Sequence, residues 1–124
     1  MITTIQELIE AVRAEAKKRP EVYYQREAPG APCSNTRGKC SDGSCGCIFG
    51  QVLLKDADDA RRKIIEDYDN CGIFAVMEKL AIATSVPESQ WCLTVQDHQD
   101  NGFLWGKCVE AADRDCPIEP DVEG

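Results

Sequence analysis

The chain has 124 residues, of which 43% are hydrophobic and 29% are charged, and this composition is typical of one globular domain rather than of a disordered segment. Fourteen basic and 22 acidic residues give a net charge of −8, which argues against a nucleic-acid partner because phosphate binding requires clustered Lys and Arg. No apolar run is long enough to span a membrane, and the charged N-terminal segment is unlike a signal peptide, so we expect a cytoplasmic protein without a membrane partner.

The first predicted element is an amphipathic helix. Thr4 and Glu7 have the spacing of a capping box, and the apolar residues within 5–16 fall on one helical stripe. Pro20 prevents the helix from continuing. Residues 25–44 combine glycine and proline with small polar residues and follow neither a helical nor an alternating period, so they predict a long loop.

The rest of the chain is interpreted as helical. The apolar run 47–54 favours a buried helix, although a short strand has the same composition. Periodicity and capping residues predict further helices after Asp58, over 71–84, over 86–101 and from Trp105 onward, and the tail 115–124 is predicted to fray. The sequence therefore predicts one mainly α-helical domain over 1–124, a compact bundle of five or six short helices with a long cysteine-bearing loop.

Eight cysteines are the most unusual feature of the composition. Cys71, Cys92 and Cys108 accompany apolar helical stripes, so we interpret them as buried structural thiols. Disulfides are the alternative, for instance between Cys108 and Cys116, or between Cys33 and either Cys40 or Cys45. The absence of an export signal disfavours them, because disulfides belong to oxidising compartments.

A second group of cysteines predicts a possible zinc site. Cys33, Cys40, Cys45 and Cys47 place four thiols within fifteen residues of the glycine-rich loop, which lacks a core of its own. Four thiolates can bind zinc tetrahedrally and so hold such a loop in place. The spacing is C-x6-C-x4-C-x-C, however, and it lacks the paired C-x2-C arrangement typical of zinc sites.

Thiol-redox chemistry is the third interpretation of the cysteines. The segment from Cys45 to Cys47 is one residue shorter than the C-x-x-C motif of thiol oxidoreductases. Cys71, predicted at a helix start, is another candidate because the helix dipole lowers the pKa of a thiol there. Neither feature is enough to assign an activity.

His98 is the only histidine, and acidic residues flank it on the same predicted helix. A nucleophilic pair would need a thiol such as Cys92 or Cys108 to approach from another part of the chain. The sequence contains no phosphate-binding loop, no H-E-x-x-H and no G-x-S-x-G. We therefore predict that the protein is not an enzyme.

Two segments carry a resemblance to a known group of proteins. Residues 43–53 include Cys47-Ile48-Phe49-Gly50-Gln51-Val52-Leu53, and residues 96–106 include Gln99-Asp100-Asn101-Gly102-Phe103-Leu104-Trp105. The chain resembles small uncharacterised proteins of mycobacteriophages and other actinobacterial phages, which show a Cys-hydrophobic-hydrophobic-Gly-x-Ala-Leu segment and a Gln-Asp-x-Gly-x-x-Trp segment. It departs from that pattern at Val52, where the group usually has alanine. The resemblance implies a phage product in the bacterial host cytoplasm, and it implies no activity.

These observations lead to one leading functional hypothesis and two alternatives. The leading hypothesis is a non-enzymatic accessory protein that binds a host or phage protein through an acidic surface. The alternatives are a small structural zinc protein held by the 33–47 cysteines and a thiol-redox protein. The glycines of the resembling segments also have a packing interpretation, in which Gly50 approaches the segment near Gly102 and Gly106 and Trp105 fills the space between them.

Overall fold

The computed structural model describes residues 1–25, 34, 36, 38–69 and 72–118. These residues form six helices and one two-stranded antiparallel sheet, which confirms the predicted mainly α-helical fold. The helices are α1 (Ile5–Lys18), α2 (Ile48–Lys55), α3 (Asp59–Asp67), α4 (Ile73–Lys79), α5 (Val86–Asp100) and α6 (Trp105–Asp115), and the strands are β1 (Tyr24–Gln25) and β2 (Lys39–Cys40). Cys33, Cys71, much of the predicted loop and most of the predicted tail lie outside the described residues.

Helix α1 begins and ends where the sequence predicts. The Thr4 hydroxyl accepts a hydrogen bond from the Glu7 amide at 3.1 Å, and the Glu7 carboxylate accepts one from the Thr4 amide at 3.0 Å. This reciprocal pair is the predicted capping box, and it satisfies amides that have no partner within the helix. The helix ends at Arg19, directly before Pro20.

Helix α2 is buried along most of its length, which confirms the helical interpretation of the apolar run. Cys47 precedes the helix, and its thiol accepts a hydrogen bond from the Gly50 amide at 3.4 Å. The first helical amide, of Ile48, donates to the side chain of Gln99 on α5 at 2.7 Å. A buried glutamine from another helix thus completes the cap of α2.

Helix α4 is shorter than predicted, since it ends at Lys79 rather than near Thr84. Ala81 adopts a left-handed conformation with φ of 59°, and the Ile82 amide donates back to the Met77 carbonyl at 2.9 Å. This hydrogen bond closes the helix end and directs Ile82 into the core, where it is buried.

Helices α5 and α6 form the most extensive helix–helix contact among the described elements. The carboxylate of Glu88 accepts hydrogen bonds from the amide and hydroxyl of Ser85, as the predicted capping box requires. Gly102, which follows α5 after Asn101, has a φ of +83°, the left-handed conformation in which many helices stop. Several large side chains of the hydrophobic core are fully buried, among them Trp91, Trp105, Phe49, Leu8 and Ile48.

The predicted loop contains regular structure that the sequence did not indicate. Strand β2 pairs with β1, so that Tyr24 lies opposite Cys40 and Gln25 opposite Lys39.

None of the helices in the described part of the chain is both long and apolar enough to cross a membrane.

The start of α6 lies against the chain that leaves α1. The Trp105 amide donates to the Val22 carbonyl at 2.7 Å, and the Gly106 amide donates to the Pro20 carbonyl at 3.0 Å. A Cβ atom at Gly106 would lie 2.9 Å from Pro20 Cβ and 3.2 Å from the Pro20 oxygen. The close approach at Gly106 is therefore to Pro20, whereas the sequence favoured the α2 segment as its neighbour.

We expect Gly106→Ala to destabilise the fold, because the added methyl group would force α6 away from Pro20 and lengthen the two hydrogen bonds. Overpacking of this kind costs about 1–3 kcal/mol, which exceeds the gain in helix propensity. Urea unfolding followed by circular dichroism measures the effect. Lys107→Ala, at an exposed position of the same helix, is the control and should change stability by less than about 0.5 kcal/mol. Equal stability of the two variants would contradict the close contact.

Candidate functional site

The described cysteines of the predicted zinc site belong to a tight hairpin. The Cys40 amide donates to the Ser44 carbonyl at 2.8 Å, and the Gly43 amide donates to the Cys40 carbonyl at 3.0 Å. Lys39 and Cys45 form an antiparallel bridge just beyond this turn. The hairpin leaves Cys45 exposed and buries Cys40 together with Cys47.

The buried thiol of Cys40 has two hydrogen-bond partners within the protein. The Cys40 thiol donates to the Gly46 carbonyl at 3.3 Å and accepts from the Gln51 amide group at 3.5 Å. Burial raises the pKa of the Cys40 thiol to about 11, against the opposing effect of a hydrogen bond with Ser44 and with a smaller contribution from the Asp42 carboxylate. The thiol of Cys40 is therefore protonated at neutral pH in this arrangement.

The zinc prediction depends on a fourth cysteine, Cys33, which lies outside the described residues. Within the described ranges, no group of three or more His, Cys, Asp or Glu side chains is arranged to bind a metal ion. The zinc site stays a prediction. The thiol-redox alternative also stays a prediction, and it would combine an exposed thiol, that of Cys45, with the buried one of Cys47.

Hydrogen bonds to Asp69, which follows α3, hold the described part of the predicted loop in place. The Ser34 hydroxyl donates to Asp69 Oδ2 at 2.7 Å, and the Thr36 amide donates to Asp69 Oδ1 at 2.8 Å. The Ser34 amide donates to the Tyr24 hydroxyl at 2.9 Å, and its carbonyl accepts from the Cys47 amide at 2.8 Å. A buried carboxylate and a buried phenol thus attach the described part of the loop to the rest of the fold.

Arg19 is the centre of the polar network beside the hairpin. One terminal nitrogen, Nη2, donates to Glu15 at 2.7 Å and to Gln51 at 2.5 Å. The other, Nη1, donates to Asp42 at 2.5 Å. The guanidinium carbon lies 4.9 Å from the centroid of the Trp105 ring. One cation therefore links α1, α2, α6 and the hairpin turn.

The carboxylates around Arg19 are held in their ionised form. Hydrogen bonds from Ser44, with a smaller contribution from Arg19, lower the pKa of Asp42 to about 2. Burial opposes the ionisation of Glu15, but hydrogen bonds from Lys55 and Arg19 outweigh it, and the pKa of Glu15 is lowered. The network is a salt-bridge cluster at neutral pH.

A surface cleft of about 510 Å³ lies beside this cluster. The cleft is lined by residues 18–22 after α1 and by Ser41 and Asp42 of the hairpin. Its central cation, Arg19, is already bonded to the Asp42 carboxylate and to Glu15. We therefore interpret the cleft as a consequence of how the hairpin packs on α1.

His98 is not paired with a thiol in the described structure. Its Nδ1 lies 2.8 Å from the Thr94 carbonyl, and its ring packs edge-on against Phe103 with centroids 5.0 Å apart. Cys92 and Cys108 are fully buried, and burial raises the pKa of each thiol to about 12. These two cysteines have the structural environment that their apolar stripes predict.

The remaining cysteines give no disulfide among the described residues. Cys116 is partly buried, and its sulfur lies 3.4 Å from the Thr94 hydroxyl. Five of the described cysteines are free thiols: Cys40, Cys45, Cys92, Cys108 and Cys116.

Comparisons of the chain with protein-family models, curated proteins and solved structures find no match. The site is therefore interpreted from its own geometry.

Sequence reasoning missed the role of Arg19 and the exposed apolar residues of α5. Arg19 lies at the end of α1, and nothing in the local sequence identifies its distant partners Asp42 and Gln51. The residues on α5, Val86 and Leu93, are seven positions apart, and this spacing could have indicated a second apolar face.

The cluster around Arg19 predicts that the protein is less stable in acid. Because the folded-state pKa values of Asp42 and Glu15 are lowered, their stabilisation is fully present above the ordinary values of 3.8 and 4.5. It is lost as the pH falls, and for Asp42 the loss continues to about pH 2. Urea midpoints measured between about pH 6 and pH 2.5 should stay level above about pH 5 and fall below it.

Two variants test whether the cluster causes this loss. Asp42→Asn should be less stable than the wild-type protein at pH 6 and should lose less stability on acidification. Glu66→Gln removes an exposed carboxylate of α3 that has no ion pair within the described part of the chain, and it should follow the wild-type curve. Parallel curves for Asp42→Asn and wild type would contradict this assignment.

Proposed function

We propose that the protein is a non-enzymatic accessory protein that acts by binding another protein of a phage or of its bacterial host. The observation that carries the proposal is a group of large apolar side chains exposed on an acidic protein. These side chains are Tyr23, Phe74, Val86, Leu93, Phe103 and Leu104. Apolar patches exposed on a soluble protein are typical of surfaces that bind other proteins, and Val86 and Leu93 recur at helical spacing on one side of α5.

The environments of Cys40, Cys92, Cys108 and His98 support a non-enzymatic role. A nucleophilic cysteine needs a lowered pKa, whereas burial raises the pKa of Cys40, Cys92 and Cys108. His98 directs Nδ1 at a backbone carbonyl and packs its ring on Phe103. Neither arrangement resembles an activated nucleophile with its base.

The charge distribution supports a basic partner. Six basic side chains on or next to the described helices are already in ion pairs: Arg13, Arg19, Lys55, Lys63, Lys107 and Arg114. The net charge of −8 therefore leaves the surface dominated by carboxylates. A field of this sign accelerates the approach of a positively charged protein, and salt screens it.

Affinity capture tests the proposal. The tagged full-length chain should retain a reproducible protein from a lysate of an actinobacterial host, either uninfected or infected with a phage. The purified pair should bind at least about threefold more weakly at 300 mM than at 50 mM salt, because screening weakens the charge attraction. An unrelated acidic protein of similar size and charge serves as the control bait. Retention of the same proteins by both baits would count against the proposal, as would retention of none.

Zinc binding is a second candidate function, and one contact favours it. The Cys47 amide donates to the carbonyl of Ser34, the residue that follows Cys33. The chain next to Cys33 therefore lies beside Cys47, while Cys40 and Cys45 occupy the adjoining hairpin. Binding of one ion by four thiolates would require the exposed Cys45 to turn towards the buried Cys40 and Cys47, because the described residues hold no three ligands arranged for a metal.

Elemental analysis of protein purified under reducing conditions, without chelators, tests the zinc candidate. About one zinc per chain is expected, and Cys33→Ser or Cys45→Ser should lower this content severalfold. Cys116→Ser, which lies outside the group, should retain it. Zinc below about a tenth of an equivalent in the wild-type protein would exclude the candidate.

A further inference from the structure

Helix α5 presents an exposed stripe on the side facing away from the core. Val86, Gln90, Leu93 and Asp97 are all exposed and recur at helical spacing, so they lie along one side of the helix. Val86 is 71% exposed and Leu93 is 54% exposed. We name these four residues the α5 outer face.

The opposite side of α5 already supplies the packing that the fold needs. Trp91, Cys92 and Val95 are fully buried there. An amphipathic surface helix ordinarily carries its apolar residues on the one side that faces the core. Helix α5 carries them on two sides, and the described elements cover only the inner one.

The charges of α5 select the kind of partner. The helix contains no Lys or Arg between Val86 and Asp100. Its last turn contains Asp97 and Asp100, although the dipole at a helix C-terminus disfavours negative charge. Among the described residues, Asp97 forms no ion pair. A cation from outside would therefore interact favourably with both the carboxylate and the helix end.

We propose that the α5 outer face binds an amphipathic basic helix of a partner protein. This inference rests on the proposed function and specifies the surface and the chemistry of its partner. Aliphatic side chains of the partner would cover Val86 and Leu93, and a Lys or Arg would pair with Asp97. Val86 and Leu93 are separated by two helical turns, about 10 Å, so partner residues seven positions apart match their spacing.

The negative charge of the protein also disfavours a second copy of the chain, a nucleic acid or an anionic lipid surface as the occupant of this face. A second copy of the chain would bring Asp97 close to carboxylates of another molecule with a net charge of −8. Nucleic acids and anionic lipid surfaces are repelled for the same reason. A basic protein helix satisfies the apolar and the charged part of the face together.

A designed peptide probes the face directly. The probe is a 14-residue helical peptide with leucines seven positions apart on one side and lysines flanking them, and its matched control has glutamate in place of each lysine. Titration of the ¹⁵N-labelled full chain with the lysine peptide should shift amide resonances within 86–100 most strongly. The glutamate peptide should bind at least about tenfold more weakly.

Variants separate a specific contact from general charge attraction. Leu93→Ser should weaken binding of the lysine peptide about fivefold or more, and Asp97→Asn about two- to threefold with a smaller salt dependence. Glu66→Gln makes a charge change on α3 that matches Asp97→Asn, and it should bind like wild type. Wild-type affinity in Leu93→Ser, or shifts centred outside 86–100, would overturn the inference.

The outcome also separates this inference from the general proposal. A protein captured from the lysate that binds Leu93→Ser as tightly as wild type would support the proposed function and contradict the α5 outer face. Binding of the lysine peptide at 86–100 without any captured protein would support the face and count against the proposed function.

Discussion

The guanidinium of Arg19 is the contact on which the arrangement of the helices depends. It lies at the end of α1, bonds to Glu15, Gln51 and Asp42, and covers the face of the Trp105 ring. Arginine suits this position because its planar group supplies several donors in fixed directions and can stack on an aromatic ring while remaining charged. A lysine offers only one compact point charge, so it could not hold a helix end, a turn and an indole in the same geometry.

Two other buried polar side chains hold chain segments that would otherwise lack partners. Gln99 accepts from the first amide of α2, and Asp69 holds Ser34 and Thr36 of the loop. The hydrogen bond that the Ile48 amide donates to Gln99 joins the segment 43–53 to the segment 96–106. Gln99 and Ile48 thus have a structural role in the core, whereas Asp97 of the second segment is exposed at the surface.

The helices that the sequence predicts well are those whose local signals agree. The end of α1 at Arg19 and the stop of α5 at Gly102 follow from a capping box, an apolar stripe and a helix-ending residue. The predicted end of α4, near Thr84, was wrong. The helix ends earlier because Ala81 adopts a left-handed conformation that places Ile82 in the core, and an alanine in the sequence does not indicate such a conformation. Strand β2 was missed because its pairing with β1 is a long-range contact and its two residues carry no period.

The exposed aliphatic residues of α5 and its Asp97 both indicate a binding surface, although each of these features alone is ordinary. A single exposed leucine is common on protein surfaces, and so is a single unpaired aspartate. On α5 the aliphatic residues lie off the core-facing stripe, and Asp97 lies where the helix dipole opposes it, so both act against local stability. The helix tolerates this cost because Trp91, Val95 and Gln99 secure its inner side. The α5 outer face thus exposes aliphatic residues and places a carboxylate at a helix C-terminus, while the inner side of the same helix is packed in the core. These are the properties expected of a binding face rather than of a structural one.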